Sequence, residues 1–267
     1  MIYFMHIIKT GGTTFDDILM RQYGVSKIVN LNNEEVDLEF NNLTHSKKIK
    51  SELINKPDAI VVTGHFRIGL HNLMNDDKPR YIAFFRNPVE QYLSQYYFSI
   101  SLEEYPDIKE MTSSRGNIER FIYSDMLLYT ENTQTFFLSE APDRKTFQRD
   151  MEYLSPIAIQ HVKDLFIFCA ITDYFDESLV ILRELLQWRK PIYYVKRKVT
   201  KNRPKAKTHN QKIIERIKEI NKLDLLLYDE ALAVFNREKA KIRFFRWKLF
   251  KFKVQNFFFA YFHNKNL

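Results

Sequence analysis

The sequence predicts an α/β protein with a central parallel sheet flanked by helices, and three observations support this. Four short apolar runs, IYFMHII, AIVVTGH, RYIAFFR and LFIFCAI, are separated by stretches of helical character, the alternation that successive βα units produce. Residues 174–188 place apolar side chains at 179, 182, 185 and 186, a helical period, and residues 215–237 read as a further helix. At 267 residues and 45% hydrophobic, the chain is long and apolar enough to enclose a substantial core.

In chain order, the first run breaks into Lys9-Thr10-Gly11-Gly12-Thr13-Thr14 before an amphipathic stretch over 15–23. Residues 26–57 and 103–117 are polar and weakly periodic, and read as insertions or loops. The single cysteine, Cys169, lies inside LFIFCAI and reads as a core thiol, so neither a disulfide framework nor a cysteine metal site is expected. No metal-ligand spacing is visible. Residues 239–267 carry eight Lys or Arg and no Asp or Glu, so the whole formal excess of +8 resides there and residues 1–238 are neutral. The chain therefore divides into a neutral body, 1–238, and a basic aromatic tail, 239–267. A neutral body argues against nucleic acid as the partner. No signal-peptide pattern precedes the first strand, and FFFAYF is far shorter than the ~20 apolar residues of a spanning helix. The expected location is cytoplasmic.

KTGGTT after a strand and before a helix reads as an anion site. Glycines let successive N–H groups point to one place, and the helix adds its unpaired N–H groups and positive dipole end. Thr13 and Thr14 add hydroxyls, with Thr14 a candidate N-cap. A nucleotidase loop needs G-x-x-x-x-G-K-[ST], with the lysine opening the helix. Here Lys9 precedes the glycines, at the mouth of the strand. On this loop alone, a tight turn with a solvated lysine would look the same.

The stretch YIAFFRNPVEQYLSQYYF, residues 81–98, supplies a second basic position. Its strand ends in Arg86, Asn87 can cap, and Pro88 suits the first helical turn. Ser94 follows about 9 Å along the helix from Pro88. A guanidinium with a hydroxyl is good phosphate chemistry, although an arginine at a strand end and a serine on a helix are each common alone.

Together these stretches resemble the sulfotransferases that use 3′-phosphoadenosine 5′-phosphosulfate, in particular a bacterial-type member of the carbohydrate (polysaccharide) branch. HIIKTGGTTF is similar to that family's 5′-phosphosulfate loop, HIPKTGGTSF, and RNPVEQYLSQYYF to its 3′-phosphate stretch, RDPVERxxSxYYY. GHFRIGL, ENTQTFFLS, YFDESLVILRELLQW, VTKNRP and LDLLLYDEA continue the similarity in order to about residue 238. Three positions depart from the pattern: Ile8 for proline, Asn87 for aspartate, and Glu140 where a glycine commonly follows FLS.

The resemblance implies a P-loop-containing nucleoside triphosphate hydrolase-like three-layer fold. It also implies transfer of a sulfuryl group from that donor to a hydroxyl, or secondarily an amine, of a carbohydrate, with no metal required. Lys9, Thr10, Gly11, Gly12, Thr13 and Thr14 would hold the 5′-phosphosulfate, Lys9 also neutralising charge as the sulfuryl group departs. Arg86 and Ser94 would hold the 3′-phosphate, and Lys201 and Arg203 would form a lid over it unless they are a solvated basic loop. An alcohol needs a base. His65, just beyond a strand end, is preferred, with His71, His6, Glu90 and Glu104 as weaker candidates. Asn132 and Gln134 either orient donor or acceptor or cap turns.

In the tail, Ile242, Phe245, Leu249 and Phe252 form one helical stripe, while Phe244, Trp247 and Phe250 fall elsewhere among basic residues. One stripe can pack on the body, which leaves the other aromatics in need of a partner. An anionic membrane surface, on the inner face, would suit a lipid-linked or cell-surface polysaccharide acceptor. An ordinary terminal helix with snorkelling lysines is the plain alternative. Two rival functions remain, a P-loop kinase or nucleotidase and a non-catalytic membrane- or polyanion-binding protein.

Overall fold

The computed structural model describes residues 1–31, 42–99, 118–123, 130–195, 204 and 206–265. In order the elements are β1 (Ile2–Met5), α1 (Gly12–Tyr23), β2 (Ile28–Asn30), α2 (Asn42–Asn55), β3 (Val61–Gly64), α3 (Leu70–Leu73), β4 (Arg80–Phe85), α4 (Pro88–Ser99), α5 (Ile118–Phe121), α6 (Thr133–Leu138), α7 (Arg144–Leu165), β5 (Phe166–Ile171), α8 (Phe175–Leu185), α9 (Gln211–Ile220), α10 (Lys222–Ala240) and α11 (Phe245–Lys265).

The five strands form a parallel sheet in the order β2-β3-β1-β4-β5. Ile2 lies opposite Val61 and Arg80, and Met5 opposite Gly64 and Ala83. The strands are buried on both faces, hence their nearly unbroken apolar sequence. The chain leaving β1 runs toward β2 at one edge, and the chain leaving β4 runs toward β5 at the other. The adjacent strands β1 and β4 therefore flank the point where the winding reverses, and the crevice beyond their carboxyl ends is where open α/β sheets bind ligands.

Two expectations need correction. Residues 26–57 are not simply a loop: β2 and α2 lie within them. β2 has three residues and, among the described residues, pairs with β3, too short to produce a visible apolar alternation. The single helix read over 215–237 is two, α9 and α10, broken at Asn221, whose side-chain oxygen accepts a hydrogen bond from the Asn132 N–H at 2.9 Å. The polar stretch 103–117 lies outside the described residues. Cys169 is buried in β5, and burial pushes its thiol pKa well up.

A second apolar cluster joins Val89, Leu93 and Tyr96 of α4 to Ile213 and Ile217 of α9. At the other end of the chain, Ile242, Phe245 and Leu249 pack against the main core and Phe252 is buried within it. The Tyr194 N–H donates to Asn256 Oδ1 at 2.7 Å, and Lys248 pairs with Glu184. The tail helix is thus docked on the body along one stripe.

Candidate active site

The loop between β1 and α1 is fixed by its carbonyl groups. The Thr10 hydroxyl donates to the Ile7 oxygen at 2.8 Å, Gln91 Nε2 to Ile8 at 2.9 Å, and Arg86 Nη1 to Lys9 at 2.9 Å. The Thr172 hydroxyl lies 2.5 Å from the Thr10 oxygen and 3.1 Å from that of Phe85. Four consecutive carbonyls are thereby engaged by side chains. Lys9 itself sits at φ 61° and Gly11 at φ 96°, the left-handed region that turns the chain sharply into the helix and that glycine adopts without penalty.

α1 begins at Gly12, and its N-cap, Gly11, brings no side chain to cap it. Thr14 is therefore not the N-cap but stands in the first helical turn. The N–H groups of that turn have no intrahelical acceptors, and the dipole makes the end positive, an arrangement suited to an anion. Gly12 has a separate reason to be glycine. A Cβ there would lie 2.1 to 2.6 Å from the His6 imidazole. His6 is held in place by Asp16, Nδ1 to Oδ2 3.2 Å, and Asp16 in turn accepts from the Thr63 hydroxyl. The buried imidazole thus forms the floor under the loop, in contact with His65 at 4.3 Å between ring centroids.

Lys9 and Arg86 meet where β1 and β4 end. Besides binding the Lys9 carbonyl, Arg86 lies 3.9 Å from Glu90, and the Lys9 ammonium rests 3.8 Å over the Phe98 ring. Glu90, Ser94 and Phe98 follow at four-residue spacing along α4, with Gln91 alongside, so they share one helix face. Ser94 stands between the residue touching Arg86 and the residue touching Lys9, on the face turned to the loop. No hydrogen bond joins Ser94 to Arg86 directly. Asn87 caps α4, its Oδ1 accepting from the N–H groups of Val89 at 3.1 Å and Glu90 at 3.4 Å.

His65 follows β3 on the same edge of the sheet. Its Nδ1 lies 2.6 Å from the His6 carbonyl oxygen, which fixes Nδ1 as the protonated nitrogen and leaves the lone pair on Nε2, the tautomer a general base requires. His71 is differently placed: it is buried, its Nδ1 lies 3.0 Å from the Tyr81 hydroxyl near the start of β4, and burial lowers its pKa. Lys201, Arg203 and Glu104 lie outside the described residues.

The sequence gives little warning of what holds Arg86. Gln134 clamps its backbone from both sides, Nε2 donating to the Arg86 carbonyl at 2.9 Å and Oε1 accepting from its N–H at 3.0 Å. Gln134 is in turn held by two helices that cap each other. Asn132, the N-cap of α6, uses Oδ1 to accept from the N–H groups of Leu223 and Asp224 at 3.0 and 3.1 Å in the first turn of α10. Asp224 returns the bond, accepting from the N–H groups of Gln134 at 3.0 Å and Thr135 at 2.7 Å and from the Thr135 hydroxyl at 2.7 Å. Burial pushes the Asp224 carboxyl pKa up, and the bonds to Thr135 and Gln134 oppose that. The amide pattern in ENTQTFFLS was visible in the sequence, but its partner 90 residues away was not. Glu140 sits at φ 62°, which accounts for a glycine in the similar pattern, and its carboxylate lies 3.2 Å from His161.

The arrangement, a glycine-started helix end beside a lysine and an arginine at a winding reversal, suits a polyanionic ligand. A model of the galactose-3-O-sulfotransferase family matches residues 1–248. Mouse galactose-3-O-sulfotransferase 3 is 25% identical over 260 residues, covering 90% of this chain and 57% of the mouse protein. The chain thus spans little more than half the length of that relative. The family match runs through every element that builds the site, from the loop before α1 to the mutual caps of α6 and α10, and the chain belongs to the galactose-3-O-sulfotransferase family.

Proposed function

We propose that the protein is a sulfotransferase moving a sulfuryl group from 3′-phosphoadenosine 5′-phosphosulfate to a carbohydrate hydroxyl. The observation that carries this is the meeting of Lys9, Arg86 and the glycine-led start of α1 at the β1–β4 crevice, in a chain of this family. The donor chemistry fits: it presents two separated anionic groups, and the site offers a helix end with Lys9 for one and Arg86 with Ser94 for the other. The five-stranded parallel sheet and this loop favour the three-layer P-loop-like architecture, although the lysine precedes the glycines.

When bound, the donor supplies an activated sulfuryl group attached to a phosphate leaving group. The N–H groups of Gly12, Thr13 and Thr14 bind the 5′-phosphate, and the Lys9 ammonium neutralises charge developing on the oxygen that departs. Arg86, fixed by Gln134, and Ser94 orient the 3′-phosphate. His65 accepts the acceptor's hydroxyl proton at Nε2 while Nδ1–H stays on the His6 carbonyl. These are positioning and charge-stabilising roles, the logic of phosphoryl transfer. The family's name makes a galactose 3-hydroxyl the first acceptor to test, and a lipid-linked or cell-surface polysaccharide is its proposed setting.

Calorimetry with adenosine 3′,5′-bisphosphate and with ATP tests the donor. Binding of the bisphosphate, lost in Lys9→Ala and Arg86→Ala, is the expected result. Preference for ATP would overturn the reading in favour of a kinase or nucleotidase. His65→Ala should bind the bisphosphate normally while turnover falls by about 10²- to 10⁴-fold.

A further inference from the structure

The tail helix α11 is apolar on two opposite sides. At about 100° per residue, Phe245, Leu249, Phe252 and Asn256 cluster in one direction and face the body. Trp247, Phe250, Val254, Phe257 and Phe258 cluster in the opposite direction, and all five are exposed, Trp247 at 59% and Phe257 at 67%. Arg246 and Lys253 lie along one border of this outer stripe and Lys251 along the other, each exposed. Lys251 stands 6.0 Å over the Trp247 ring. Two apolar stripes facing opposite ways nearly cancel as an amphipathic signal, so simple periodicity does not reveal them.

We propose that this outer stripe is a membrane-docking face that lies in the interface of an anionic lipid bilayer. Large aromatic side chains on one face with basic residues on both borders are what an interfacial helix needs: rings enter the headgroup–acyl boundary and cations meet lipid phosphates. The charge pattern selects this occupant over a second copy of the chain. Residues 239–267 hold no Asp or Glu, so packing two outer stripes together would bring basic borders against basic borders. Among the described residues no helix is long and apolar enough to cross a membrane, and α11 lies along the surface, held from behind by its inner stripe. The proposal stands independently of the donor assignment.

Flotation of the full chain with phosphatidylcholine vesicles, with and without phosphatidylglycerol, tests it. The expected result is flotation with the anionic vesicles that weakens at high salt. It should fall by about tenfold or more, three aromatic anchors being lost, in the variant combining Trp247→Ser, Phe250→Ser and Phe257→Ser, and comparably in the one combining Arg246→Glu, Lys251→Glu and Lys253→Glu. Because all six side chains are exposed, melting temperatures should be unchanged, which separates lost docking from misfolding. Absence of flotation, equal flotation with neutral vesicles, or a dimer by light scattering that the serine variant dissociates without any vesicle binding would each overturn the proposal.

Discussion

Gln134 grips the backbone of Arg86 with both ends of one carboxamide, at 2.9 and 3.0 Å, and Arg86 passes that constraint to the anion loop through the Lys9 carbonyl. Replacing Gln134 by Leu removes both bonds while keeping much of the volume. Losing two part-buried hydrogen bonds at about 1 kcal/mol each should weaken bisphosphate binding by about tenfold or more. If calorimetry shows unchanged affinity, Arg86 is held by other means.

The mutual caps of α6 and α10 should act as one unit. Asn132→Ala and Asp224→Ala each remove a helix cap and leave buried N–H groups unpaired, costing about 1 to 3 kcal/mol apiece. Since each residue also positions the other's helix, the double variant should lose less than the sum. Urea melts of the four proteins measure the coupling, and strict additivity would show the two caps to be independent.

Gly12→Ala drives a methyl group into the His6 ring, and the helix start cannot retreat without moving the loop. A cost of about 1 to 3 kcal/mol is expected for such overpacking. Combining it with His6→Ala should recover much of the loss in a thermal melt.

Glu140 offers the opposite sign. At φ 62° it occupies a conformation that costs a side-chain-bearing residue roughly 1 kcal/mol relative to glycine, and its half-exposed pairing with His161 offsets only part of that. Glu140→Gly should therefore leave stability unchanged or raise it by up to about 1 kcal/mol. A clear loss in the denaturation midpoint would show that the pairing outweighs the strain.

His71 gives a pH dependence. Burial lowers its native pKa below the ordinary 6.5, so as the pH falls the unfolded chain takes up the proton first. The stability it permits is complete above the ordinary value and is lost as pH falls from there toward the lowered native one. Melting temperatures of His71→Gln should decline less than those of the parent across that window.

The parts of the fold that are legible in the sequence are those determined locally. Four strands are visible as apolar runs because both faces of the sheet are covered, and KTGGTT with RNPVE marks the two strand ends that meet. What escapes is determined at a distance. Asn221, where one helix ends, is bonded to Asn132, and Gln134 serves Arg86 through a pair of hydrogen bonds across 48 residues, which no periodicity records. β2 escapes because three edge residues are too few to pattern. Thr14 reads as a cap by residue type, yet the left-handed turn at Gly11 starts the helix three residues sooner than that reading requires.

The four tethered carbonyls of Ile7 to Thr10 bear on binding kinetics. Such a receptor has little conformational entropy left to lose, so capture of an anion should proceed in one kinetic phase without a slow ordering step. Variants that cut a tether, such as Thr172→Val or Gln91→Leu, should then act mainly by shortening the residence time, with association rates near those of the parent.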